Sequence, residues 1–211
     1  MKCKVPWFLL LCLGLVLVLR IPSLFEPYWY GDEGIYLTLG LAFKKGLIFY
    51  RDIHDNKPPL LYLLAAGAGN VAWFRAILLN WMLATTILFW QLLNRLFPKQ
   101  EKLARISTLT FVILSSIPLI EGNIANAEIF LIGPIIAGFY TYLIAKKWWQ
   151  FFLVGVFFSL AVLFKAPALF DFAALFAFVL ITLDKKTLPS TQNYDYNYLL
   201  DRPSRILLEF H

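Results

Sequence analysis

The sequence predicts an all-α integral membrane protein, on three observations. Of the 211 residues, 60% are hydrophobic and only 15% are charged. The apolar residues come in blocks, without the period-2 alternation of a barrel strand. Crossing a hydrocarbon core of roughly 30 Å takes about 20 apolar helical residues, and lipid admits only helices or closed barrels as spanning structures. The expectation is about six transmembrane helices, with outward-facing juxtamembrane helices in the first loop.

The opening stretch "MKCKVPWFLLLCLGLVLVLRIPS" has the basic head and apolar middle of a signal peptide. No small-residue cleavage site follows, so it reads as a retained anchor with its N-terminus in the cytoplasm. Cys3 and Cys12 have neither metal-like nor disulfide-like spacing. Further apolar blocks run from Leu60 to Trp73, Ala76 to Phe97, Leu103 to Ile120, Ile129 to Ala145 and Phe151 to Leu183.

The net charge of +6 and pI near 9.3 do not argue for nucleic acid, because the basic residues fall in small groups between apolar blocks. Lys2 with Lys4, then Arg95, Lys99, Lys102 and Arg105, then Lys146 with Lys147, then Lys185 with Lys186, all suit the cytoplasmic side under the positive-inside rule. A crossing at Leu60–Trp73 would send the Arg95–Arg105 group to the wrong face. That block is therefore expected to lie at the membrane surface as a juxtamembrane helix. The last block, 33 residues long, is too long for one straight span. Lys165 and Pro167 in "FKAPALFD" suit an outward turn between two short, tilted helices. Residues 1–186 then form one transmembrane unit with its first outer loop at about 20–74, and 187–211 form a polar tail.

The polar residues of interest gather on the outward side. "GDEGIYLTLGLAFKKG" has the i, i+4, i+7, i+8 pattern of an amphipathic helix at Ile35, Leu39, Ala42 and Phe43. Asp32 and Glu33 suit its first turn, Lys44 and Lys45 its last, and Gly46 its stop. "YRDIHDNKPPLLYLLAAG" crowds Asp52, His54, Asp55 and Lys57 before a double proline that suits the first turn of the next helix. A lysine there ordinarily snorkels. A solvated His54 is the plain expectation, with a divalent cation held by the nearby acids as the alternative. "GNIANAEIF" places Asn126 as a helix cap and Glu128 in a first turn. Arg75 opens a span where an anionic headgroup would lie. Lys165 is an ionisable residue inside an apolar block, which marks a functional candidate. Each has an ordinary explanation, but together they put acids and bases on one face.

With "GDEGIYLTLG", "YRDIHDNKPPLLYLL", "NAEIF" and "LFKAPAL" in this order, the chain resembles the GT-C class of integral membrane glycosyltransferases. More narrowly it looks like the protein O-mannosyltransferase and aminoarabinose-transferase-like group, which includes the Rgt-like proteins. The resemblance covers roughly Val5 to Leu183. It implies transfer of a sugar from a polyprenyl-phosphate carrier to an acceptor on the periplasmic, extracellular or lumenal side of a plasma or inner membrane. It also implies Asp32 as catalytic base with Glu33 beside it, and Lys57 as the residue meeting the carrier phosphate. Glu128 corresponds to a second acid, and Lys165 to a lysine near the carrier. Asp55 and Arg75 complete the expected substrate-binding set.

Family members have more spans and often a C-terminal soluble domain, so a fragment or a split protein completed by a partner chain is also expected. The readings from other classes are a transporter or flippase, against which no internal repeat is visible, and an inactive membrane subunit.

Overall fold

The computed structural model describes residues 6–27 and 30–182. The basic head of the predicted anchor, the Lys185–Lys186 pair and the predicted tail lie outside the described residues. Those described fold into eight α-helices with no strand among them: α1 (Trp7–Arg20), α2 (Gly31–Lys44), α3 (Leu60–Ala68), α4 (Val71–Leu96), α5 (Glu101–Leu114), α6 (Ala127–Ile144), α7 (Trp148–Phe164) and α8 (Ala168–Thr182). Two 3₁₀ turns, Pro22–Phe25 and Pro118–Ile120, follow α1 and α5.

Among the described residues, three segments are long and apolar enough to cross a membrane: Trp7–Phe25 with 19 residues, Val71–Leu96 with 26 and Ala127–Ile144 with 18. Against the expectation of six, length and hydropathy establish these three. Helices α5, α7 and α8 have 14, 17 and 15 residues. At 1.5 Å per residue they reach about 21, 25 and 22 Å, short of a hydrocarbon core of about 30 Å.

The block Leu60–Trp73 is not one helix, which corrects its predicted boundary. Helix α3 ends at Gly69, and the Asn70 side chain then accepts a hydrogen bond from the Trp73 amide (2.9 Å) to cap α4. Trp73 thus belongs to the first turn of the long α4. With nine residues, α3 reaches only about 14 Å. The predicted stop of α2 is a Schellman motif. Gly46 (φ 91°) donates to Phe43, and Leu47 reaches back to Ala42. The last apolar block breaks at Lys165–Pro167, between α7 and α8.

Helix α4 is the centre of the bundle, packed against α1, α3, α5 and α6; α7 lies on α6, and α8 on both. An aromatic ladder threads the interior. Tyr36 of α2 meets Phe74 of α4 at 6.5 Å, Phe74 stacks on Phe130 of α6 at 5.8 Å, and Phe130 stacks on Phe164 of α7 at 5.4 Å. Each offset aromatic pair contributes roughly 0.5–1.5 kcal/mol beyond its buried area. The ladder fixes the ends of four helices beneath the loops that carry the acids.

Polar groups inside the bundle are satisfied locally. Thr85, Thr86 and Thr108 each bond back to the carbonyl four residues earlier, at 2.8 Å. Pro134 lies within α6 and cannot donate to Phe130 O. That carbonyl instead accepts from the Trp81 indole of α4 at 2.9 Å. Gly133 leaves the room for it, since a Cβ there would come within 2.7 Å of the same indole nitrogen.

Candidate functional site

Helix α2 begins as its first-turn acids predict, and the two acids diverge. Adjacent helical residues point about 100° apart. Asp32 faces the loop that carries Lys57, with Oδ2 3.0 Å from Nζ. Glu33 faces inward and takes the Arg75 guanidinium in a two-point grip, 2.9 Å from Nε and 2.6 Å from NH2. The side chain of Glu33 is 0% exposed and that of Arg75 1%, against 32% for Asp32 and 17% for Lys57.

The buried pair is fully bonded. Arg75 also donates to Ser23 O at 2.6 Å and Glu26 O at 3.1 Å, and Glu33 accepts from the Ala125 amide at 2.9 Å. One ion pair thereby joins the first turn of α2, the start of α4, the turn after α1 and the loop before α6. A second buried cation, Arg20, does the same between α1 and α5. It donates to Ser115 O, to Gly122 O at 2.6 Å and to Ser116 Oγ at 3.2 Å. These bonds place the end of α1, the start of α4 and the end of α5 together at one end of the bundle.

Around Asp32 the groups remain partly open. The Tyr36 hydroxyl donates to Asp32 Oδ2 at 2.8 Å and lies 3.2 Å from Asn126 Oδ1. Asn126 caps α6 as predicted, accepting from the Ala127 amide at 2.7 Å. The Lys57 ammonium sits 4.8 Å from the Tyr36 ring centroid, a cation–π contact. The Tyr50 hydroxyl donates to the Lys57 carbonyl at 2.8 Å and secures the approach to the double proline. Glu128, in the first turn of α6, pairs with Lys165 at the end of α7. Lys165 is close enough to act electrostatically on Asp32, and Glu128 on Tyr36.

Burial pushes the Asp32 carboxyl up, but the bonds from Lys57 and Tyr36 and the charges of Lys57 and Lys165 outweigh it. The net shift is downward from the ordinary 3.8. Burial, then the bond to Asp32, raises the Tyr36 phenol, which stays a proton donor. The bond from Tyr30 to Glu121, followed by burial, lifts the Tyr30 phenol to about 12.

Among the seven site residues chosen from sequence, Asp32, Lys57, Glu128 and Lys165 come together. Glu33 and Arg75 form the buried node beside them. Asp55 stands apart, accepting from Tyr62 Oη at 2.6 Å, with the Tyr62 ring 5.9 Å from Tyr36. His54 is exposed on the same loop, 6.3 Å from the Tyr50 ring. Among the described residues, no group of three or more His, Cys, Asp or Glu is placed to hold a metal ion.

Tyr36 is not among the residues predicted from sequence, although its i+4 spacing from Asp32 on one helix face is a signal for it. Nor is Arg20, although an arginine directly ending an apolar block is such a signal.

No family model, curated protein or solved structure matches this chain.

Proposed function

We propose that the chain is a membrane glycosyltransferase that moves a sugar from a polyprenyl-phosphate donor to an acceptor hydroxyl on the outward side. One observation carries this reading. Of the two ion pairs that α2 makes, the Asp32–Lys57 pair is partly open to solvent beside a more exposed pair, Glu128–Lys165, whereas Glu33–Arg75 is sealed.

In the reaction the acceptor oxygen attacks the anomeric carbon, and Asp32 takes its proton. The carbon–oxygen bond to the carrier phosphate breaks, and the phosphate leaves with the bonding pair on the opposite face, inverting the centre. The bonds from Lys57 and Tyr36 keep Asp32 ionised in the resting site at a cost in basicity, and loss of the Lys57 contact raises that basicity. Lys57 and Lys165 supply fixed positive charge where the leaving phosphate gathers negative charge. An incoming phosphate draws Lys57 away from Asp32, which frees the base when the donor is present. Glu33 and Arg75 act as positioning residues that hold the first turn of α2.

The apolar crevice of about 400 Å³ along α4, lined by Trp73, Ala76, Ile77, Asn80, Trp81 and Ala84, offers a berth for a prenyl tail. Six crossings in this reading come from α5, α7 and α8 spanning a locally thinned bilayer beside the three longer segments.

Titration of a polyprenyl-phosphosugar into the chain in nanodiscs tests the donor half. Lys57→Ala should weaken binding at least tenfold, while Asp32→Asn should leave it unchanged or tighter. Equal binding by the Lys57→Ala chain would remove the phosphate role.

A further inference from the structure

The opposite end of the bundle carries a second crevice, of about 290 Å³, between the C-terminal turns of α4 and α6. Trp90, Gln91, Asn94 and Arg95 line it from α4, and Tyr140 and Ile144 from α6. We propose that this crevice binds the headgroup of an anionic phospholipid such as phosphatidylglycerol.

Its lining suits a phosphate ester held at a membrane surface. Arg95 brings a planar guanidinium whose several N–H donors suit phosphate oxygens, in addition to the interaction it already makes within the chain. Gln91, Asn94 and Tyr140 add neutral hydrogen-bonding groups. One Asn94 amide proton is committed to Trp90 O at 2.7 Å, which fixes the side chain against the helix. Trp90 is 8% exposed and its ring packs on Phe8 at 5.5 Å, so the apolar wall of the crevice is anchored to α1.

Charge at this end favours an anion. Arg95, Lys99, Lys102, Arg105, Lys146 and Lys147 all belong to it, and Glu101 is the sole acid there among the described residues. Glu101 is itself bound to Arg105 at 2.6 Å. Among the described residues, six bases less one acid leave five positive charges. The carbonyl ends of α4 and α6 contribute roughly half a negative charge each, which is too little to reverse the sign.

Two observations favour a lipid over a soluble phosphate. Trp148 and Trp149, which start α7 directly after Lys146 and Lys147, are 81% and 44% exposed. Exposed tryptophans beside lysines mark the headgroup level of a bilayer. The crevice also opens between α4 and α6, two of the segments apolar enough to cross, so acyl chains have apolar helix surface directly beside it. Basic crevices between such helices take anionic headgroups.

The test uses the full chain in nanodiscs of phosphatidylcholine containing a tenth part of phosphatidylglycerol. Lipid retained after transfer to detergent is counted by native mass spectrometry. The unmutated chain should retain phosphatidylglycerol and not phosphatidylcholine. Arg95→Gln should reduce retention about tenfold, and Arg95→Lys, which keeps the charge without the fork, about threefold. Lys146→Gln with Lys147→Gln should change it less than twofold. Circular dichroism confirms that each variant folds.

Retention that survives Arg95→Gln would overturn the proposal, as would an equal loss in the Lys146 and Lys147 variant, which marks diffuse attraction instead. Displacement of the lipid by millimolar inorganic phosphate would overturn the lipid assignment in favour of a soluble anion.

Discussion

At the residue scale, two neighbouring acids have opposite fates because a helix turns about 100° per residue. Glu33 enters a sealed node with Arg75, and removing one partner of such a pair strands a charge. Breaking a buried pair costs about 3–5 kcal/mol. We therefore expect Arg75→Met to lower the thermal midpoint sharply in nanodiscs. Arg75→Met combined with Glu33→Leu should recover most of the loss, a non-additivity read from a double-mutant cycle. For Asp32 the prediction concerns pH. Its folded pKa is depressed below the ordinary 3.8. The Asp32–Lys57 pair therefore contributes stability that is fully present above the unfolded pKa and is lost as pH falls through the folded one. Carbon-detected NMR of a chain labelled at aspartate should find the Asp32 carboxyl titrating below the ordinary value, and Lys57→Ala should move that midpoint upward. The two acids were legible as a first turn. Which of them would be buried was not, because that depends on where Arg75 and Lys57 arrive, 42 and 25 residues further along the chain.

At the element scale, helix ends were legible where local chemistry dictates them. Gly46 stops α2, Asn126 caps α6 and the Lys165–Pro167 stretch separates α7 from α8. The break inside Leu60–Trp73 was missed because the block was judged by hydropathy, although Gly69 and Asn70 are a stop and a cap in direct succession. Pro134 and Trp81 show what a proline in α6 requires of a neighbour. Trp81→Phe leaves the Phe130 carbonyl without its donor and should cost about 1–3 kcal/mol. Adding Pro134→Ala restores a backbone donor within α6, so the double variant should regain much of that stability in chemical denaturation. Helices α2 and α3 touch through Gly40, where a Cβ would lie 2.6 Å from the backbone nitrogen of Ala66. That backbone cannot swing aside as a flexible side chain can. Gly40→Val should force the helices apart at a cost of about 1–3 kcal/mol, read as a lowered thermal midpoint.

At the scale of the whole molecule, the helical membrane class followed from blockwise hydropathy. The number of crossings did not, because α5, α7 and α8 have lengths between those of core helices and full spans. The arrangement places open ion pairs at one end and excess positive charge at the other. Single cysteines at Glu128 and at Lys99, in a chain with Cys3 and Cys12 replaced, should therefore label from opposite faces of intact vesicles. Removal of the acceptor proton by Asp32, the role proposed for it at the open end, is read by single-turnover transfer. Purified chain in vesicles, given a radiolabelled polyprenyl-phosphosugar and a mixed pool of cell-envelope acceptors, should release the label from the carrier. Asp32→Asn should slow that step by about 10²- to 10⁴-fold, as loss of a positioned base does, with donor binding intact. Transfer at an unchanged rate by the Asp32→Asn chain would rule out Asp32 as the base.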